Sequence, residues 1–414
     1  MRNAPRLAIG LLLATLAGGA ALPGTAAAQL GSVLSLPDQP GPHWFWLSDV
    51  LLHRTALFDA DSGRQLGTIS SGTAGVGFVI SPLFSPDHRE IYLAETYYAR
   101  GVRGERTDVV TVYDAATLRP IAEIGIPPKR AEYFPGVAAN ALSDDGRFLA
   151  IFNLTPAQSM TIVDVKARTF TAEIPTPGCS LAYAGGPRRF FALCANGAAL
   201  NVAIDDQGRP ASVERSEPFF DPKKDPITEK GVRLGNQWLF ASFDGIVHPV
   251  DVSGPVLTFG ETWSLLTDED RQASWRIGGA QHLALHRASG RLYSLVHQGG
   301  RDTHKEAGTE VWVYDVAARR RLQRLPVLNP LASFIHQQTK LGRTSTNGRL
   351  LGWVLEHVLP NPGVNGILVT QDEHPVLVAA GMMPPTVTVH DAMTGAVVRE
   401  VEEVGIAESL LAAP

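Results

Sequence analysis

Seven times along this chain an apolar stretch closes on an aspartate and a polar turn. The endings are Leu57-Phe58-Asp59, Val112-Tyr113-Asp114, Ile162-Val163-Asp164, Ala203-Ile204-Asp205, Pro249-Val250-Asp251, Val313-Tyr314-Asp315 and Val389-His390-Asp391. Another apolar stretch follows each turn. An aspartate there can accept hydrogen bonds from the amides of its own turn, so each unit reads as two neighbouring antiparallel strands. Few folds repeat such a unit this often in one chain.

A second element precedes most of these endings: SPDHREIYLA, SDDGRFLAIF, GPRRFFALC, GNQWLFASF, RASGRLYSLV and QDEHPVLVAA. Each is a polar turn entering an apolar strand. Two interleaved repeats at a spacing of about 50 residues imply four-stranded sheets set around an axis. The chain is therefore expected to be all-β, a seven-bladed β-propeller over residues 29–414, with an N-terminal strand closing the last blade. Residues 206–235 and about 329–360 are longer than a blade connection requires. The latter is an insertion containing TNGRLLGWVLEHV, which reads equally as an added strand or a short helix.

The fullest copy of the repeat is residues 85–126, with strands expected at Glu90–Thr96, Asp108–Asp114 and Pro120–Ile126 because β-branched and aromatic residues cluster there. Between the first two lies Tyr97–Thr107, longer than a hairpin turn, with Arg100, Arg103 and Arg106 around Gly101 and Gly104. That length predicts a functional or interface loop. A solvated basic loop fits the same residues equally well.

Composition narrows the class. With 414 residues, 44% hydrophobic, there is apolar material for a large core. A net charge of -5 and scattered Lys and Arg leave no basic stripe for nucleic acid. The start of the chain has Arg2 and Arg6, an apolar run from Leu7 to Leu16, and small residues ending in Ala26-Ala27-Ala28. This is the pattern of a cleaved secretory signal over residues 1–28, and no later segment is apolar and long enough to span a membrane. Export places the two cysteines, Cys179 and Cys194, in an oxidising compartment. A Gly-Gly-Pro turn between two strands would set them side by side as a disulfide.

No catalytic constellation is visible. There is no G-x-S-x-G elbow, and GVRGER is not a phosphate loop. His282 and His286 have a ligand spacing, with His297 and His304 following, but on a strand they read as packed or surface residues, and no metal is expected. The seven tryptophans, Trp44 and Trp46 among them, read as filling between blades.

Long phrases then carry a resemblance. RGERTDVVTVYDAATLRPIAEIGIPPKRA, GCSLAYAGGPRRFFALCANG, TWSLLTDEDRQASWRIGG and LHRASGRLYSLVHQGGRDTHK, with further matching stretches over residues 43–405, resemble the heavy subunit of the bacterial quinoprotein amine dehydrogenases. The resemblance implies a periplasmic propeller that binds no cofactor and pairs with a small disulfide-rich light subunit in an α2β2 complex. That light subunit carries tryptophan tryptophylquinone and the catalytic base. The implied reaction converts a primary amine to aldehyde and ammonia and passes electrons to a blue-copper protein. It implies no catalytic residue in this chain, a channel-lining role for Phe78 in GVGFVISP, and a disulfide between Cys179 and Cys194. Arg100, Arg103 and Arg106 are then a candidate surface for the light subunit. TWSLLTDEDR is similar to the aromatic-amine type and TQDEHPVLV to the methylamine type, so both substrates stay open. A stand-alone periplasmic scaffold propeller is the alternative.

Overall fold

A computed structural model of the chain describes residues 35–49, 51–70, 81–132, 137–341, 345–402 and 404–412. Among them are seven antiparallel sheets built on one four-strand plan. In six of them the innermost strand leads on to the second, and in all seven the third and fourth follow outward. The third strands end at the seven aspartates or, for Asp205, one residue before it. Their side chains work as expected. Asp59 Oδ1 accepts from the Asp61 amide at 3.1 Å, and Asp391 Oδ1 from the Met393 and Thr394 amides at 3.0 and 2.7 Å. Asp114, Asp164, Asp205, Asp251 and Asp315 each accept an amide of their own turn in the same way.

Seven apolar clusters lie between adjacent blades. Phe45 and Leu47 pack toward the seventh blade with Val376, Val378 and Leu410. Trp46, one residue between them on the same strand, packs the other way, against Ile91 and Leu93 of the second blade. A strand covered on both faces has no polar side. Phe148–Asn153 and Ser159–Asp164 are accordingly buried at every position, while the outermost strand Pro210–Arg215 is almost wholly exposed.

Two expectations are corrected and one open alternative is settled. Closure runs in the opposite sense: the C-terminal strand Ala407–Ala412 lies innermost in the first blade, paired with Trp44–Asp49 in register Leu47↔Leu410. Among the described residues no N-terminal strand joins the last blade, whose four strands come from residues 366–401. Second, Tyr97–Thr107 is not a loop. Strands Glu90–Arg100 and Arg103–Asp114 continue as a two-stranded ribbon to a tight turn, with Arg100 opposite Arg103 and Gly101 at φ +69°. The fourth strand of that blade pairs only as far as Asp108, so the ribbon runs on past it. Of the two readings left open for the insertion, the helical one holds: it forms two helices, Pro330–Gln338 and Thr346–Val358, N-capped by Asn329 and Ser345.

Cys179 and Cys194 are directly opposed on the first two strands of the fourth blade and form the expected disulfide, S–S 2.09 Å.

Candidate functional site

Strands alternate in direction within a blade. The turn from second to third strand and the crossover from the fourth strand to the next blade therefore emerge at the same end of the sheets. That end carries the long connections: the ribbon around Gly101, residues 127–132, 216–231 and 260–274, and the two helices of the insertion. It is the candidate functional face.

The ribbon is anchored from below. Arg106 grips Asp108 with two hydrogen bonds, Nε to Oδ1 at 2.8 Å and Nη2 to Oδ2 at 2.7 Å, pairs through Nη1 with Glu132, and donates to the Arg130 carbonyl at 2.8 Å. Burial works against the charge, yet Asp108 and Glu132 hold the guanidinium above its ordinary pKa. Tyr98 donates to both Glu132 oxygens, at 2.9 and 3.1 Å. Beneath them Arg130 is fully buried, its Nε on Thr96 Oγ1 at 2.7 Å, and burial pushes its pKa down to about 10. Glu95, also fully buried, accepts from Thr111, from Tyr97 at 3.2 Å and from Tyr113 at 3.3 Å. Burial and the Glu95 charge push Tyr97 up to about 12. Bidentate arginine and buried carboxylates of this kind fix a backbone segment in place.

Of the three arginines singled out in the sequence, Arg106 is thus turned inward and holds the ribbon. Arg100 and Arg103 stand exposed at its tip beside Val102. Phe78 lies outside the described residues. Its flank Ser81 is buried, with its hydroxyl 2.7 Å from that of Ser409 on the innermost strand of the first blade.

The four histidines do not converge. His282 is fully buried against Thr228 Oγ1 at 3.2 Å, and burial together with Lys230 drives its pKa down to about 3. His286 bridges Ser289 and the Asp372 carbonyl, at 2.7 and 2.9 Å. His297 meets Thr303 at 2.8 Å, and His304 stacks on Phe243. No group of three or more His, Cys, Asp or Glu is placed to hold a metal ion among the described residues. Trp275 and Trp312 pack with ring centroids 5.1 Å apart under Arg324, and the Trp312 indole N–H donates to Glu310 at 2.7 Å. Both rings are buried between the fifth and sixth blades, covered by side chains.

Sequence reasoning missed the anchoring acids. Glu132 and Asp108 lie 24 positions apart, and only the fourth-strand crossover brings them together on Arg106. It also missed His43, whose Nδ1 lies 2.8 Å from Asp61 and whose Nε2 lies 3.0 Å from Asp372, tying the first blade to the seventh.

Long connections and an anchored ribbon gather on one face of a β-propeller, a class of fold in which function is decided by what sits on that face. The chain belongs to the methylamine dehydrogenase heavy chain family, whose model matches residues 51–340. It is 27% identical over 352 residues to the methylamine dehydrogenase heavy chain of Paracoccus versutus, covering 84% of this chain and 73% of that one. To the heavy chain of Methylophilus methylotrophus it is 25% identical over 425 residues, covering 98% and 95%. Among solved structures it is similar to a protein of unknown function from Desulfotomaculum acetoxidans, with TM-score 0.55 and 12% identity over 89% of this chain and 98% of that chain. A dihydro-heme d1 dehydrogenase, NirN, gives TM-score 0.51 at 15% identity, covering 88% and 75%. These two share the fold. The family match ends at residue 340, inside the helical insertion.

Proposed function

We propose that this chain is the cofactor-free heavy subunit of a periplasmic amine dehydrogenase, scaffolding a light subunit that carries tryptophan tryptophylquinone. The observation that carries the reading is family membership over residues 51–340 on a propeller whose long connections share one face. The quinone, when present in the partner, supplies the oxidation of a primary amine to aldehyde and ammonia. This chain's part is to seat that partner, narrow the amine's path at Phe78 and exclude water around it. Arg100 and Arg103 at the ribbon tip are offered to the light subunit in an α2β2 assembly, while Arg106, Asp108 and Glu132 keep the ribbon rigid enough to present them. Electrons leave the light subunit to a blue-copper protein. Export by a cleaved signal over residues 1–28 fits this compartment. No helix among the described residues is long and apolar enough to cross a membrane.

The test is affinity purification of the chain from its host's periplasm, with a quinone stain of co-purifying bands. A small quinone-positive chain in equal amount is expected. Recovery of the chain alone, with no quinone-positive partner, would replace this reading with a stand-alone scaffold.

A further inference from the structure

Several cations elsewhere in these blades are neutralised by carboxylates: Arg106 by Asp108 and Glu132, Arg321 by Asp270, Arg324 by Glu310. A cavity of about 440 Å3 between the fifth and sixth blades is different. Lys224, Arg271, Arg276 and Arg301 surround it, against two carboxylates, Asp225 and Asp244. None of the four cations has an ion-pair partner among the described residues. Lys224 and Arg271 come from two fourth-strand crossovers, Arg301 from a second-strand turn and Arg276 from the innermost strand Trp275–Ile277, which one of those crossovers enters, so that all four meet at the same end of the sheets.

Neutral acceptors hold the three arginines in place. Arg271 sits on the short helix Asp268–Gln272, fixed by the reciprocal cap of Thr267 and Asp270. Its guanidinium donates to the Leu266 carbonyl at 2.6 Å and to Ser264 Oγ at 2.8 Å. Arg301 donates to the Lys224 carbonyl at 2.7 Å, and Arg276 to the Trp275 carbonyl at 3.0 Å. Carbonyls orient a guanidinium without cancelling its charge. Asp225 is itself engaged, accepting the Asp244 amide at 2.9 Å. The Arg276 Nε is buried with no hydrogen-bond partner, a state that buried donors rarely keep.

We propose that this cavity is a binding site for a small multivalent oxyanion, a phosphate or a di- or tricarboxylate. Four cations against two carboxylates leave two positive charges, which matches such an anion. The size lies within the range of roughly 300–1,000 Å3 typical of small-ligand clefts. Oriented guanidinium groups give the forked donors that planar oxyanions take. The site stands independently of amine oxidation.

The test is calorimetric titration of the full chain with inorganic phosphate and with citrate at about 10 mM ionic strength, where screening is weak. Arg276→Gln and Arg301→Gln are compared with Arg209→Gln, which removes a charge from the exposed turn at the other end of the fourth blade. Thermal unfolding establishes that each variant is folded, and the exposed Arg301→Gln keeps the test open if Arg276→Gln is not. Wild type and Arg209→Gln are expected to bind alike, the two cavity variants at least about tenfold more weakly, with affinity falling as salt is added. Absence of uptake by wild type, or equal loss in all three variants, overturns the site. So does a chain that takes up neither anion while Arg301→Gln weakens association with a partner subunit, since the cavity would then receive a protein carboxylate.

Discussion

The propeller is closed by one strand, and Leu410 is its principal apolar anchor. Leu410 is 1% exposed and packs with Phe45, Leu47, Phe58, Val376 and Val378 between the first and seventh blades. Its amide donates to Gln281 Oε1 and its carbonyl accepts from Gln281 Nε2, both at 2.9 Å, so the strand is also stitched to the sixth blade. Leu410→Ala should cost about 2–5 kcal/mol, the range for a buried leucine in a site that cannot collapse. Folding entropy of about 2.1 cal/mol/K per residue gives a chain of this size roughly 0.8 kcal/mol/K, so a loss of 3 kcal/mol lowers Tm by about 4 °C. Removing everything after Glu402 also takes away the paired positions from Phe45↔Ala412 to Asp49↔Ala407, at about 1 kcal/mol per hydrogen bond. The combined loss is comparable with the roughly 5–15 kcal/mol that holds a native chain together. Differential scanning calorimetry should show the point variant about 4 °C down and no cooperative transition for the truncation. Val398→Ala, on an outermost strand and 51% exposed, should shift Tm by under about 1 °C. Equal shifts for Leu410→Ala and Val398→Ala, or a truncated chain that melts like the intact one, would refute closure by this strand.

Arg106→Met should destabilise the chain by about 3–5 kcal/mol, because Asp108 and Glu132 stay buried without their counter-charge. Arg100→Gln and Arg103→Gln should change unfolding by under about 0.5 kcal/mol and be felt only in co-purification of a partner. Replacing Cys179 and Cys194 together by serine should lower stability by about 3 kcal/mol in urea titration, an effect reproduced in wild type by a reductant. For His43, burial opposes protonation but Asp61 and Asp372 outweigh it and raise the pKa. A raised folded value means its contribution is full below the unfolded pKa of about 6.5 and fades as pH rises through the folded one. His43→Gln should therefore lose more Tm against wild type at about pH 5.5 than at about pH 8.5; an equal or reversed gap would contradict the His43 bridge.

What could be read from the sequence was what local chemistry dictates. Asp59, Asp114 and the other five turn aspartates act within three residues of themselves, so their meaning survives without any tertiary knowledge. The doubly covered strands announce themselves by unbroken apolar runs such as Phe148 to Phe152. Closure could not be read, because Phe45 and Ala412 meet from opposite ends of the chain and AESLLA pairs as readily with one apolar edge as another. The ribbon was mistaken for a loop because beyond Asp108 it leaves the space between blades. With no apolar face to bury there, Arg103 and Glu105 stand exposed and Arg106 turns in onto carboxylates, so no hydrophobic alternation marks the pairing. The helical insertion was masked by its own glycines. Gly348 and Gly352 lower helix propensity yet are buried on the side facing the other helix, where the Gly348 carbonyl meets His336 Nε2 at 3.2 Å. The same residues that weakened the local signal permit the close approach that stabilises the hairpin. Lys224, Arg271, Arg276 and Arg301 lie furthest from sequence reach, since each alone is an ordinary surface or edge cation. Only the shared direction of second-strand turns and fourth-strand crossovers, with the strand Trp275–Ile277 that one crossover enters, turns them into one site, which is why the positive cavity is a property of the topology more than of any motif.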